Sequence, residues 1–155
     1  MNTEEYLQIA IGEARKGVEA GHGGPFGAVI VYRGEIVSTA HNEVVLRNDP
    51  TAHAEILAIR LAGEKLQRFH LNGCTLYCTG EPCPMCFSAI HWAHLDRVIY
   101  CNTKEEAAKI GFDDTFITEI IRGEKPDPIP FARHPLPTCT RLLKLWEEKE
   151  DKIPY

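Results

Sequence analysis

The chain has no apolar run near the roughly 20 residues that a bilayer-spanning helix needs. It also has no excess of basic charge, with 17 Lys and Arg against 22 Asp and Glu and a net charge of −5. Nucleic-acid binders gain most of their affinity from Lys and Arg meeting phosphates, so the acidic balance weighs against a polymer and favours a small-molecule substrate. Met1-Asn2-Thr3-Glu4-Glu5-Tyr6 carries neither the basic head nor the apolar stretch of a signal peptide, so a cytoplasmic location is expected. Repeats and low-complexity tracts are missing, and so is a second Cys-x-x-Cys. Without a secretory signal the six cysteines are expected to be metal ligands or core residues, not a disulfide framework. Cys74, Cys78, Cys101 and Cys139 carry no ligand spacing and are expected as small buried hydrophobes.

The 155 residues suit one domain with a single real core, spanning 1–155. Leu7, Ala10, Ile11, Ala14 and Val18 recur at helical spacing behind a cap at Asn2 or Thr3, and Gly21 with Gly23-Gly24-Pro25 ends that helix. Ala28–Tyr32 and Glu35–Ala40 read as strands around an Arg33-Gly34 turn. A second helix is expected from about Pro50-Thr51 to Leu66, a strand over Thr75–Thr79, and a helix over Pro82–His94. Arg97–Cys101 makes a fourth strand and Lys104–Ile110 a helical turn or two. This alternation predicts a three-layer α/β/α sandwich around a mixed sheet. Gly123–Pro137, with five of the ten prolines, cannot be regular helix, though Ile129-Pro130-Phe131 fits a short edge strand. Helical periodicity returns over Thr140–Lys149, and Asp151–Tyr155 reads as an extended tail.

The chemistry is concentrated in His53-Ala54-Glu55 and Pro82-Cys83-Pro84-Met85-Cys86, each at the start of an expected helix. His53, Cys83 and Cys86 give zinc three protein ligands and leave a tetrahedral position open for water, which separates a catalytic site from a closed structural one. A Cys-x-x-Cys on a first helical turn puts both sulfurs near free backbone N–H groups, which favour the thiolate. Two thiolates neutralise Zn2+, so its water needs a nearby base, and Glu55 lies two residues past His53. Half a zinc knuckle or a redox dithiol would explain the Cys-x-x-Cys alone, but neither explains His-Ala-Glu. The full pattern resembles the zinc nucleobase and nucleoside deaminases.

Longer stretches sharpen the likeness. Gly23-Gly24-Pro25-Phe26-Gly27-Ala28-Val29-Ile30, Asn48-Asp49-Pro50-Thr51-Ala52-His53-Ala54-Glu55, Glu81-Pro82-Cys83-Pro84-Met85-Cys86 and Gly111-Phe112-Asp113-Asp114 resemble the short bacterial guanine deaminases of the cytidine-deaminase fold. The resemblance implies a cytidine-deaminase-like fold, one Zn2+ per subunit and hydrolysis of guanine to xanthine and ammonia. It implies that Asn42 hydrogen-bonds the purine, Phe26 and Trp92 wall the pocket, Ala54 contributes to binding, and Asp114 is a second catalytic carboxylate. It further implies a homodimer in which a C-terminal helix and tail, 138–155, is exchanged and delivers Tyr155 to the neighbouring site.

Each of these residues also has a plainer reading. Asn42 fits a loop cap, Phe26 core, Trp92 helix-face packing, Asp114 a helix N-cap and Tyr155 a frayed end. His22, His41, His70, His91, His94 and His134 have no ligand spacing and read as surface or core residues. Pro154 and the proline-rich stretch depart from the family pattern, which bears on the substrate. The alternatives are a deaminase for cytosine, a guanine nucleoside or an aminotriazine, a tRNA adenosine deaminase, or a non-enzymatic zinc-binding module.

Overall fold

A computed structural model describes residues 1–155. Helix α1 (Thr3–Glu19) is opened by Asn2, whose side chain accepts from Glu5 N at 3.0 Å while the Glu5 carboxylate accepts from Asn2 N at 2.6 Å. This reciprocal cap satisfies two otherwise orphaned donors and selects Asn2 over Thr3. Strands β1 (Gly27–Tyr32) and β2 (Glu35–His41) form a hairpin. Its two-residue turn has Arg33 at φ 51 and Gly34 at φ 81, the left-handed pair that matches strand twist.

Strands β3 (Cys74–Gly80) and β4 (Arg97–Asn102) complete a sheet of order β2-β1-β3-β4. Strand β1 runs antiparallel to both β2 and β3, and β3 runs parallel to β4, so the sheet is mixed as expected. Strand β1 is apolar almost throughout because both of its faces are covered. Ala28 and Ile30 point to a core shared with Leu57, Ala58, Leu76 and Ile90, whereas Val29 and Val31 pack with Tyr6, Ala10 and Tyr77. Helix α1 therefore covers one face, and α3 (Ala54–Leu66) with α4 (Pro84–Trp92) covers the other. Ile30 and Leu76 are fully buried, each stabilising the fold by about 1.5–3 kcal/mol.

Several boundaries differ from expectation. Helix α3 starts at Ala54, not near Pro50-Thr51, because the Asp49 carboxylate accepts from Thr51 N and Oγ1 at 2.8 and 2.7 Å and holds a turn there. The short helix α2 (Val44–Arg47) falls where no helix is expected, and α6 (Thr115–Ile121) follows Asp114, which the sequence offered only as a helix N-cap. Helix α5 (Lys104–Lys109) agrees with expectation. Ile129–Phe131 is not a strand; Asp127 Oδ1 accepts from Ile129 N at 2.8 Å and turns the chain instead. Helix α7 (Pro137–Glu148) begins three residues early, with Pro137 in the first turn where its missing N–H costs nothing. Cys74 and Cys78 are buried as expected, but Cys101 and Cys139 are exposed.

Every residue from 121 to 155 is exposed, and α7 leaves Leu142, Leu143, Leu145 and Trp146 between 45% and 73% accessible. No helix is long and apolar enough to cross a membrane.

The approach of α1 to the sheet depends on Gly27, where an added Cβ would stand 2.0 Å from Ala10 O and 2.8 Å from Ala14 N. Gly27→Ala is expected to lower stability toward the upper end of the roughly 1–3 kcal/mol typical of overpacking. Gly12→Ala, inside α1 with nothing within 4 Å of the new methyl group, is expected to raise it by about 0.5–1 kcal/mol. Urea unfolding of the two variants beside the parent chain checks both signs.

Candidate active site

Two helix N-termini meet beyond the carboxyl ends of β2 and β3, where α/β sheets leave a crevice. His53 is the N-cap of α3, with an extended backbone at φ −72 and ψ 152. Cys83 is the N-cap of α4, and its Sγ accepts from Cys86 N at 3.5 Å, while Pro84 presets the first turn. Cys86 follows one turn later and is fully buried. Capping thus fixes the direction of the Cys83 thiol, and the start of each helix places His53 and Cys86 beside it.

His53 Nδ1 lies 3.5 Å from Cys83 Sγ and 3.5 Å from Cys86 Sγ, and the three ligand atoms lie within 4.8 Å of one another. Tetrahedral zinc with Zn–S near 2.3 Å and Zn–N near 2.0–2.1 Å sets sulfur and nitrogen about 3.6 Å apart. The donor set and its spacing fit zinc. Charge points the same way. Hydrogen bonding from Cys86 and His53, working against burial, brings the Cys83 thiol down to about 4. That charged sulfur and burial push Cys86 far up, and the bond to Cys83 raises His53. A divalent cation among them would replace the shared protons and let both thiols ionise.

Glu55, on the first turn of α3, is 6% exposed, with Oε2 3.4 Å from Cys86 Sγ. Burial raises its pKa above the ordinary carboxylate value. His53, Glu55 and Cys83 line a cavity of about 630 Å³, within the range of small-molecule sites. Phe26 forms one wall with Phe112 edge-on to it, ring centroids 4.9 Å apart at 87°. Asn42 is buried at the rim, its N donating to Phe26 O at 3.0 Å and its Oδ1 accepting from Val44 N at 3.1 Å. The loop-capping reading is thus correct for the oxygen. Gly23 must be glycine here, since a Cβ would sit 2.1 Å from Asn42 Oδ1.

Residues 1–102 match the family described as the cytidine and deoxycytidylate deaminase zinc-binding region. The chain belongs to this deaminase family. It is 44% identical over the whole of both chains to a guanine deaminase from Bacillus subtilis. Superposition on a solved structure of a guanine deaminase from that organism gives a TM-score of 0.94, covering 100% of this chain and 99% of the other. A tRNA-specific adenosine deaminase from Aquifex aeolicus is 47% identical over 64% of this chain and 66% of its own. A solved guanine deaminase from Nitrosomonas europaea is 30% identical, with a TM-score of 0.67 over 72% of this chain and 64% of the other.

The deaminase fold gathers most of the expected residues. Phe26, Asn42, His53, Glu55, Cys83 and Asp114 all line the one cavity. Asp114 does not cap α6 with its side chain; Asp113 takes Thr115 N at 3.0 Å instead, and burial raises the Asp114 pKa. Ala54 is fully buried in the core and does not line the cavity. Trp92 is 67% exposed at the far end of α4, so within one chain the second aromatic wall is Phe112. Tyr155 also stands outside the cavity, 6.3 Å from Trp92 and 6.2 Å from Phe69 between ring centroids. Lys104, Phe116 and Ile117 also line the cavity without a sequence signal of their own, whereas Glu81 and Phe112 stand in stretches that carry the family resemblance.

Removing one thiolate leaves two protein ligands. Zinc content by atomic emission is expected to fall from about one ion per chain to near zero in Cys83→Ala, with folding judged by circular dichroism.

Proposed function

We propose that this deaminase hydrolyses guanine to xanthine and ammonia. The observation that carries the reading is the buried Glu55 carboxylate beside the His53, Cys83 and Cys86 group, at the floor of an aromatic-walled cavity. The full-length likeness to guanine deaminase supports the choice of base.

His53, Cys83 and Cys86 would hold zinc, which when bound supplies Lewis-acid activation of water. Glu55, whose proton affinity is raised by burial, takes one proton from the water that attacks C2 of guanine and delivers it to N3. It then moves the second proton, from the new C2 hydroxyl, to the amine; the C2–N bond breaks, ammonia leaves and the C2 carbonyl of xanthine forms. Phe26 and Phe112 pack against the flat base and exclude water. The Asn42 amide donates to an acceptor on the purine edge, where O6 and N7 offer lone pairs. Asp114 accepts from a ring N–H or carries protons between the cavity and solvent.

A second reading, deamination of adenosine in tRNA, draws on the partial likeness to the Aquifex enzyme. The net charge of −5 opposes it, since tRNA binding rests on cationic contacts. Cys83 and Cys86 are needed as thiols, which fits a reducing, cytoplasmic site of action in purine breakdown. The reading also includes a homodimer in which residues 138–155 are exchanged, bringing the partner subunit's Tyr155 toward each cavity. The uncovered apolar side chains of α7 support it.

Ammonia release is expected with guanine and not with tRNA. Glu55→Gln is expected to keep zinc but lose about 10²–10⁴-fold in kcat, and Asn42→Ala to raise KM for guanine about tenfold, as for a lost hydrogen bond. Wild-type turnover in a zinc-loaded Glu55→Gln chain would overturn its assignment. Light scattering is expected to give the full chain about twice the mass of one protomer, and a chain lacking 138–155 the mass of one.

A further inference from the structure

Four side chains far apart in sequence meet between α1 and the end of β2. His22 Nδ1 lies 2.8 Å from His41 Nε2, with the rings stacked and their centroids 5.1 Å apart. His41 Nδ1 lies 3.2 Å from Glu13 Oε2, and His41 Nε2 lies 3.9 Å from Glu43 Oε1. All of these side chains are half-buried. Such a concentration of imidazole and carboxylate has no part in the reaction described above.

The way the carboxylates are held is informative. Lys16 takes Glu13 Oε1 at 2.6 Å and leaves Oε2 for His41. Arg47 binds Glu43 Oε2 and leaves Oε1 facing His41. Glu13 as an ionised acceptor draws the proton of His41 onto Nδ1, so the Nε2 lone pair points toward His22 and Glu43. A carboxylate that fixes the tautomer of an imidazole in this way is the usual outer partner of a metal-ligating histidine. His22 Nδ1 supplies a second lone pair once its proton moves to Nε2 or is displaced.

We propose that His22, His41 and Glu43 form a second site for a divalent transition-metal ion, with Glu13 as the carboxylate that orients His41. His22 Nδ1 or Nε2, His41 Nε2 and Glu43 Oε1 supply borderline nitrogen and oxygen donors of the kind that Zn2+, Co2+ and Ni2+ accept. The candidate ligand atoms lie within 4.8 Å of one another. Ligand separations near 3.3 Å in a tetrahedral zinc site, from bonds of about 2.0–2.1 Å, are reached by small rotations of the three side chains. In the absence of an ion, the hydrogen bond between the two rings occupies the same space.

The site adjoins cavity-lining residues in sequence, although its own side chains do not line the cavity. His22 directly precedes Gly23, and its carbonyl accepts from Val45 N at 2.9 Å and Leu46 N at 3.0 Å. His41 directly precedes Asn42, whose N–H bonds Phe26 O. An ion there would tie the segment after α1 to the end of β2, the two stretches that carry Gly23, Phe26 and Asn42 into the lining.

The test uses full-length protein already loaded with one Zn2+ per chain, dialysed against Co2+ and analysed for both metals. The wild type is expected to keep its zinc and take up one Co2+ per chain. That Co2+ should show visible ligand-field bands without sulfur-to-cobalt charge transfer, which separates this site from exchange at Cys83 and Cys86. His41→Gln and His22→Gln are expected to abolish the uptake, and Glu13→Gln to weaken it about 10–100-fold, as loss of an outer partner does. Retained zinc reports that each variant is folded, and Glu43→Gln, at a partly exposed position, gives an independent removal of one ligand. No uptake by the wild type overturns the proposal. So does uptake that survives in the two histidine variants, which would assign the cobalt to other surface imidazoles.

Discussion

The convergence of two helix N-termini on one point is the constraint on which the rest of the site depends. His53 stands at the N-cap of α3 and Cys83 at that of α4, where the Cys83 sulfur caps the helix while the His53 imidazole turns to the two sulfurs. The exposed N–H groups of those first turns favour negative charge, which steadies sulfur as thiolate where burial alone would hold it neutral. The distance between the two helices is set in turn by the sheet beneath them. Strand β1 packs its Ala28 and Ile30 side against both helices, and small residues at Ala54, Ala58 and Ala62 let α3 lie close. A displaced helix would spoil the 3.5 Å separations between His53 and the two sulfurs long before it unfolded the chain.

Core and chemistry compete for the same interior. Glu55 is almost wholly buried in the first turn of α3, among residues that belong to the apolar core. A carboxylate there destabilises the charged form, which is why its pKa rises. The same burial suits a group that must hold a proton and then release it within one reaction. Stability is supplied elsewhere, by β1 and β3 packed on both faces and by α1 seated against Gly27. The site can therefore keep an unfavourable buried acid without the fold failing.

Much of the architecture was legible because it is local. The capping box at Asn2 and Glu5, the Arg33-Gly34 turn and the short apolar run of β1 are short-range signals, and they led to the right elements in the right order. Boundaries slipped where a side chain competed with the backbone, as Asp49 does by holding Thr51 out of α3. Short helices such as α2 and α6 carry too few residues for a periodic pattern, and the proline-rich stretch before α7 has no pattern to read. The exposed apolar side of α7 explains why its periodicity was visible in sequence yet finds no core within one chain.

The deaminase motif was determined by the sequence alone. Cys83-x-x-Cys86 is bound by the geometry of an N-cap and its first turn, which places sulfur beside sulfur, and His53 reaches the same site from the extended N-cap just before Glu55. The walls were decided only by the tertiary structure. Phe112 meets Phe26 where Trp92 was expected, and His22 and His41 come into hydrogen-bond contact although neither has ligand spacing. Contacts of that kind arise from how separate elements stack on the sheet, and no periodicity along the chain records the distance between them.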